Sequence, residues 1–457
     1  MTFRSTYSNP LKPDQQKALA WLMNWLNDPK VPIATLTGYA GTGKTFLIKY
    51  LIANYHKSVC ITAPTHKALK QIVKATGIPG KTIQSLHGLR PNYNGDFNFR
   101  NLQFDTIGMP HLNAYSLIII DEASMVTSGL KALNELRAKQ YGVKILYVLD
   151  DAQLPPINES ISSVTTIPGY KLTEIIRQNE NNPLLNILLA ARSDVFSNRD
   201  TLQQALTKSP VNFNTDNEGY IVLDRRNFTN TLISYFGSDS FSKNVDYLRY
   251  TGYTNNNILA WNNVVRNALI PNAKQLITDD DLLTGYNSIV DSTMSPIITN
   301  SCDYIIRDIT PRFTDDGFEV FTSTVVDDTN KAQMINIVDH TSPHFGKFHS
   351  RLIKLHGYAH YAPAHLRSKK WTEFYDYKNN YLSMIPIPIP DSKYPVPKDI
   401  DYGYGLTIHK LQGSTLENVF VNIPDMIAFE SGRANPLRQR LLYTAISRAS
   451  KRVIFLR

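Results

Sequence analysis

Cysteine is almost missing from this chain: Cys60 and Cys302 are the only two in 457 residues. That number excludes a disulfide framework, and their separation excludes a paired-thiolate metal knuckle. Cys60 sits in the apolar run Val59-Cys60-Ile61 and reads as a core thiol. No stretch approaches about 18 uninterrupted apolar residues, so no membrane-spanning helix is expected. Met1-Thr2-Phe3-Arg4-Ser5 carries no apolar core of a secretory signal. The expected location is therefore a reducing intracellular compartment, the cytoplasm, or the host cytoplasm for a viral chain. Internal repeats and low-complexity tracts are also lacking. What remains is ordinary for a folded protein, with 42% hydrophobic and 19% charged residues. The length leaves room for about three or four compact units. A net charge of +9, with 25 tyrosines and 19 phenylalanines, suits a polyanionic partner whose bases can stack.

Short apolar runs at 31–36, 58–62, 115–120 and 143–149 alternate with helix-like stretches at 45–53, 65–75 and 128–139. An amphipathic opening helix spans 14–28, with Ala18, Leu19, Leu22, Met23 and Leu26 on one stripe. This alternation predicts a parallel sheet with helices on both faces. Residues 87–113, rich in Asn, Pro and Gly with aromatics at alternate positions, read as an inserted hairpin. A second alternating region starts near 181. From about 283 to 400 the composition turns to short β-rich pieces and a Pro-rich approach, which reads as an inserted β-domain. The chain then returns to α/β character.

Three blocks carry chemistry. Gly38-Tyr39-Ala40-Gly41-Thr42-Gly43-Lys44-Thr45 is a complete phosphate loop between a strand and a helix. Its glycines Gly38, Gly41 and Gly43 let backbone N–H groups wrap a polyphosphate. Lys44 reaches the terminal phosphates, and the Thr45 hydroxyl serves Mg²⁺. The apolar strand 116–120 ends in Asp121-Glu122, one carboxylate for the metal and one for the attacking water. A third apolar strand ends in Leu149-Asp150-Asp151-Ala152-Gln153, where a neutral amide can sense a γ-phosphate.

Together these blocks resemble those of superfamily 1 helicases, and further segments extend the resemblance over nearly the whole chain. Leu11-Lys12-Pro13-Asp14-Gln15 looks like the leading glutamine motif, implying that Gln15 reads adenine. Thr62-Ala63-Pro64-Thr65-His66 and Thr82-Ile83-Gln84-Ser85-Leu86-His87 resemble the two DNA-contacting motifs that follow. They imply contacts from Pro64, Thr65, His66, Ser85 and His87. Leu172-Thr173-Glu174-Ile175-Ile176-Arg177-Gln178 resembles motif IV, with Arg177 facing phosphate. Thr407-Ile408-His409-Lys410-Leu411-Gln412-Gly413-Ser414 resembles motif V, which implies Gln412 and Gly413 at the nucleotide and Thr407 and His409 at DNA. Leu442-Tyr443-Thr444-Ala445-Ile446-Ser447-Arg448-Ala449 resembles motif VI, with Arg448 as a second arginine finger. The wording "DEASM", "HKLQGS" and "YTAISRA" is similar to the RecD/Dda branch, superfamily 1B. One departure is Leu149, where the family usually has Gly.

The resemblance implies an α/β fold of two RecA-like parallel-sheet domains. The first covers 1–178, with a hairpin at 88–112, and the second covers 179–283 and 399–457. A small SH3-like β-barrel is inserted at 284–398. It also implies an ATP- and Mg²⁺-dependent monomeric motor on single-stranded DNA and its junctions with duplex, moving 5′ to 3′. Single-strand-binding or replication and recombination proteins are its expected associates. Phe97 and Phe99 at the hairpin tip could wedge a duplex, or equally pack the hairpin on its parent domain. Trp371 reads as a packing aromatic rather than a tether. Two rival classes are a translocase that does not separate strands and a non-catalytic clamp; intact Lys44, Asp121, Glu122 and Arg448 argue against the clamp.

Overall fold

The computed structural model describes residues 10–92, 97, 103–106, 108–175, 181–271, 275–290, 296–390, 392–428, 435 and 437–457. They form two compact units, one of residues 1–90, 106–258 and 406–457 and one of residues 91–105 and 259–405.

The first unit holds two sheets. The strands of the first are β1 (Ile33–Gly38), β2 (Val59–Ala63), β3 (Gly80–Thr82), β6 (Leu117–Ile120), β7 (Lys144–Leu149) and β8 (Gly169–Leu172). Their order is β3-β2-β6-β7-β1-β8, and the pairs are parallel. Alternate residues of each strand enter opposite cores, as the two-residue strand period requires. Ala34, Leu36, Ile61, Leu117, Ile119, Leu146 and Val148 meet the helices Pro13–Asn27, Lys44–Asn54 and His66–Thr76. Cys60, Ile118, Ile120, Ile145, Tyr147 and Leu149 face the other way, against Ala138 of the helix Ser128–Tyr141. Burial on both faces explains why these strands read as unbroken apolar runs. It also raises the Cys60 thiol to about 11, an inert core group. Leu149, the departure from the family pattern, is the buried last residue of β7 and pairs with Thr37.

The second sheet contains β9 (Val211–Phe213), β10 (Gly219–Leu223), β11 (Leu248–Gly252), β19 (Gly405–Thr407), β20 (Leu416–Asn422) and β21 (Ala449–Leu456). Its order is β19-β11-β20-β21-β10-β9, with β9 antiparallel to β10. The helices Leu184–Ser197 and Arg438–Ser447 supply Leu184, Ile187, Leu188, Leu441, Tyr443 and Ala445 to its core. Ala152 and Leu154, which follow β7, belong to that same core, and Ala40 of the phosphate loop packs against it. The loops of the first sheet are thus seated in the hydrophobic core of the second.

In the second unit, β12 (Leu282–Gly285), β15 (Asp303–Phe313), β16 (Glu319–Asp327), β17 (Ala332–Val338) and β18 (Ile400–Tyr402) form an antiparallel sheet in the order β17-β16-β15-β12-β18. A short ribbon joins β13 (Ile289–Val290) to β14 (Pro296–Ile298). Two helices, Phe345–His360 and Ala364–Asn380, pack together and cover part of the sheet. They add a helical pair to the expected β-rich insert. Phe348, Leu352, Leu355 and Ala359 are buried at helical spacing, a signal that the surrounding strands obscured. The insert also runs wider than 284–398, because β12 and β18 close its sheet. Among the described residues no pairing joins β17 to β18.

The expected hairpin begins and ends as the strands β4 (Leu89–Asn92) and β5 (Gln103–Thr106). Its residue Phe97 is 3% exposed and enters the core of the second unit. The ring lies 5.8 Å from Phe374 and 5.7 Å from His356, centroid to centroid. A side chain packed this way cannot stack on a base pair, so the wedge reading of Phe97 is corrected in favour of packing. The packing partner is the insert, not the hairpin's parent domain. Phe99 lies outside the described residues. Trp371 packs against the same cluster.

Candidate nucleotide site

The carboxyl ends of β1, β6 and β7 open onto one cavity of about 800 Å³, a volume that suits a nucleotide. Its walls include Gln15, Gly41, Gly43, Lys44, Thr45, Asp121, Glu122, Gln153, Gly413, Ser414 and Arg448. Strand ends of a parallel sheet leave backbone N–H groups and short polar side chains uncovered, which is where such folds bind ligands.

After β1 the chain turns through Gly41 (φ 84°) and Gly43 (φ 75°), conformations that favour glycine, and enters the helix at Lys44. A Cβ on Gly38 would stand 2.7 Å from Thr42 Oγ1, so the loop closes on itself only with glycine there. Gln15 braces the turn: its Nε2 donates to the carbonyls of Thr42 (3.2 Å) and Gly43 (3.4 Å). Its Oε1 accepts from Lys12 N at 3.1 Å. Lys44 Nζ donates to the carbonyls of Gly38 (2.8 Å) and Tyr39 (3.0 Å). Burial lowers the Lys44 pKa, while Asp150, Glu122 and Asp121 oppose that shift.

At the end of β6, Asp121 and Glu122 put two carboxylates side by side. Burial, then the Glu122 charge, pushes Asp121 up to about 7, against the opposing pull of Lys44 and Arg448. Glu122 adopts φ 48°, a left-handed conformation that costs a non-glycine residue about 1 kcal/mol or more. That backbone turn accompanies a side chain aimed at Arg448, whose Nη1 lies 3.5 Å from Glu122 Oε1. Gln153 bridges the pair. The Gln153 amide is assigned with its nitrogen toward Glu122 Oε2 (3.2 Å) and its oxygen toward Arg448 Nη2 (2.8 Å), because the reverse orientation would set oxygen against carboxylate and nitrogen against guanidinium.

The donor set fits a magnesium-bound triphosphate. Two half-buried carboxylates and a threonine hydroxyl are hard oxygen ligands, and Lys44 and Arg448 are the matching cations for phosphate. The Ser414 hydroxyl on the cavity wall is buried with no hydrogen-bond partner among the described residues, an acceptor or donor left for a ligand. Gly413 (φ 78°) lies where any side chain would strike Ala68, its Cβ only 2.8 Å away.

Several expected residues stand elsewhere. Gln412 is buried, donates to Leu154 O at 3.4 Å and does not line the cavity, which corrects its nucleotide role. His87 is fully buried: Nε2 meets Asn134 Oδ1 at 2.6 Å, and Arg137 Nη1 donates to His87 Nδ1 (2.9 Å) and His87 O (2.6 Å). It fixes the base of the hairpin and is not free to touch DNA. Thr407 is likewise buried, at the cap of the short helix Ile408–Leu411. Pro64, Thr65, His66 and His409 are half-buried, and Ser85 is exposed. Thr65 Oγ1 accepts from Ala68 N at 3.2 Å and caps its helix, and the His409 ring lies 6.1 Å from that of Tyr253. Arg177 lies outside the described residues.

The sequence reading missed Arg192 and gave no role to Tyr39, Asp150, Asp151, Arg440 or Tyr443. Arg192 Nη1 donates to Asp150 Oδ1 at 2.6 Å, and its second nitrogen pairs with Asp151. The available signal was an arginine beside Leu188 and Ala191 on the apolar stripe of its helix.

Comparison with known proteins agrees with this geometry. Residues 10–208 match the model of an AAA domain, and residues 402–456 that of a UvrD-like helicase C-terminal domain. The ATP-dependent DNA helicase dda of Enterobacteria phage T4 is 23% identical over 97% of this chain and 99% of its own length. The uncharacterized protein R530 of Acanthamoeba polyphaga mimivirus is 26% identical over the same shares of the two chains. Among solved structures, Pif1 helicase from Candida albicans superposes with a TM-score of 0.53 at 17% identity, covering 98% of this chain and 94% of that one. Its likeness supports the fold. Ordered motifs, their convergence on one cavity, an AAA-domain match, a UvrD-like helicase C-terminal match and relatives alike from end to end together support a superfamily 1B helicase of the Dda/Pif1 type.

Proposed function

We propose that the chain is an ATP-dependent DNA helicase that hydrolyses Mg·ATP between its two RecA-like halves and moves 5′ to 3′ on single-stranded DNA, unwinding duplex ahead of it. The observation that carries this reading is the Glu122–Gln153–Arg448 bridge, because Glu122 and Gln153 come from one half and Arg448 from the other. An arginine that reaches the phosphate site only when the halves meet makes hydrolysis depend on closure. Lys44 and Arg448 stabilise phosphate charge, Glu122 orients and deprotonates water, and Gln153 holds Glu122 and Arg448 in register. Thr45 and Asp121 would hold Mg²⁺, which supplies charge neutralisation at the phosphates. Arg177 is proposed as the other arginine finger on the strength of its motif.

Pro64, Thr65, His66, Ser85 and His409 remain the proposed strand contacts, as the exposed or half-buried members of the DNA motifs. The direction of travel follows from the resemblance to the RecD/Dda branch. A strand-tracking motor without productive unwinding is the second reading, and burial of Phe97 favours it by removing one wedge. Strand displacement on matched duplexes with a 5′ or a 3′ single-stranded tail tests both. Unwinding from the 5′ tail alone is expected. Unwinding from the 3′ tail would overturn the direction, and DNA-stimulated hydrolysis with no displacement would favour the second reading.

A further inference from the structure

Tyr443 lies five residues before Arg448, on the helix Arg438–Ser447 that leads to it, and its ring is fully buried. Its hydroxyl makes three contacts. It donates to Asp150 Oδ2 at 2.6 Å, and it accepts from Arg192 Nη1 and from the backbone N–H of Ala40, both at 3.3 Å. A phenol has one proton to give and two lone pairs to fill, so all of its capacity is used. Ala40 belongs to the phosphate loop. The next residue toward the strand, Tyr39, is contacted as well, because the Arg192 guanidinium stacks on its ring at 3.8 Å. Two successive loop residues are therefore held by side chains of the other half.

The remaining partners leave this cluster little freedom. Asp150 is 1% exposed, and Oδ1 accepts from both Arg192 Nη1 (2.6 Å) and Ala152 N (3.1 Å). Arg192 also pairs with Asp151, which Lys171 neutralises from outside at 2.9 Å. Arg440, three residues before Tyr443, donates to the carbonyls of Asp151 (2.7 Å) and Gln153 (2.8 Å). One helix thus grips the phosphate loop through Tyr443 and the Asp150–Gln153 turn through Arg440, and then presents Arg448 to Glu122.

We infer that Tyr443, oriented by Asp150 and Arg192, is a positioning residue for ATP hydrolysis, coupling the placement of Arg448 to the conformation of the phosphate loop. It touches the loop backbone rather than the reacting phosphate, so its action passes through Arg448 and Lys44. The inference rests on the reading of this cavity as the hydrolytic site. Such a device explains why a buried, costly ion cluster sits beside the cavity: it ties the two halves in one geometry rather than adding stability.

The test is steady-state ATP hydrolysis by the full chain with saturating single-stranded DNA, comparing wild type with Tyr443→Phe. Removing a hydroxyl that donates to a buried carboxylate is expected to lower kcat about tenfold while leaving KM for ATP within about twofold. Asp150→Asn removes the acceptor from the other side and should lower kcat likewise. The double variant should lose less than the product of the two single losses, because the groups act as one unit. A wild-type kcat in Tyr443→Phe, a rise in KM alone, or multiplicative losses in the double variant would overturn the inference. If Tyr443→Phe lowers the melting temperature, Asp150→Asn carries the same kcat-against-KM comparison alone, with the same outcomes decisive. Failure of the underlying site reading is distinct: wild type would then show no DNA-stimulated hydrolysis, or Lys44→Ala would keep it.

Discussion

The two ends of this chain's legibility are the nucleotide cavity and the aromatic core of the inserted unit. In the cavity, the named groups are charged or polar, stand at strand ends, and meet partners from the other half across short distances: Glu122 with Arg448, Gln153 with both. In the inserted unit the contacts are ring against ring: Phe97 with Phe374 and His356, Trp371 with His356 and Phe374. The first region gains little stability from its contacts, since burying carboxylates and cations is costly even when they are paired. The second is held by apolar area and ring geometry. Substitutions should therefore separate the regions cleanly, turnover failing in one and stability in the other.

The largest effect is expected from Lys44→Ala. The only lysine in the phosphate loop would be lost, and hydrolysis should fall by about a thousandfold or more, while DNA affinity changes little. Single-turnover hydrolysis with DNA titration checks both halves of that statement; turnover within tenfold of wild type would sink the loop assignment. Next comes Glu122→Gln, which keeps the shape that meets Arg448 but gives up the base. Its hydrolysis should drop about a hundredfold to a thousandfold, with nucleotide still bound. A near-normal rate would move the base to another residue. Neither change should lower the melting temperature by much.

This contrast also explains what could be read in advance. Lys44, Thr45, Asp121, Glu122 and Gln153 each lie within a few residues of a buried strand, so local spelling gave their position as well as their chemistry. Gly413 and Arg448 required a family pattern to place them, and the structure brings them to the same cavity. Arg192 and Tyr443 escaped because their meaning is non-local. Tyr443 meets Asp150 and Ala40 across hundreds of residues, a pairing that no periodicity reports. Gln412, Thr407 and His87 were overread for the opposite reason: a motif names residues that lie near a ligand, and some of them are there to hold the others. The helix Phe345–His360 was hidden by its β-rich flanks, although its apolar spacing was present.

Phe97→Ala brings the comparison to the inserted unit. Truncating a ring that is 3% exposed in an aromatic core is expected to cost about 3–5 kcal/mol of that unit's stability. DNA-stimulated ATP hydrolysis below the new transition should stay near the wild-type rate. Thermal unfolding followed by near-ultraviolet circular dichroism would report the loss through the packed aromatics. An unchanged transition, together with selectively lost strand separation, would restore the wedge reading of Phe97.

The smallest effect, and the sharpest, concerns His87, a buried histidine set between Asn134 and Arg137. Arg137 Nη1 donates to Nδ1, so the ring proton sits on Nε2 and faces Asn134 Oδ1. A second proton would have to point at a guanidinium in a dry site. Burial, followed by the Arg137 charge, outweighs the Asn134 hydrogen bond and lowers the His87 pKa from 6.5 to about 4. The unfolded chain takes up a proton near pH 6.5, whereas the folded chain resists until about pH 4. Stability from this group is thus complete above pH 6.5, falls as pH drops through that window, and is exhausted below about 4. The total is on the order of 3 kcal/mol. Urea unfolding at pH 7.5 and pH 5 should show that His87→Gln loses part of the wild-type pH dependence. The carboxylates titrate equally in both chains, so the difference isolates the ring. Identical pH slopes would mean that the His87 ring is hydrated after all and that the hairpin base is open enough to reach a nucleic acid strand.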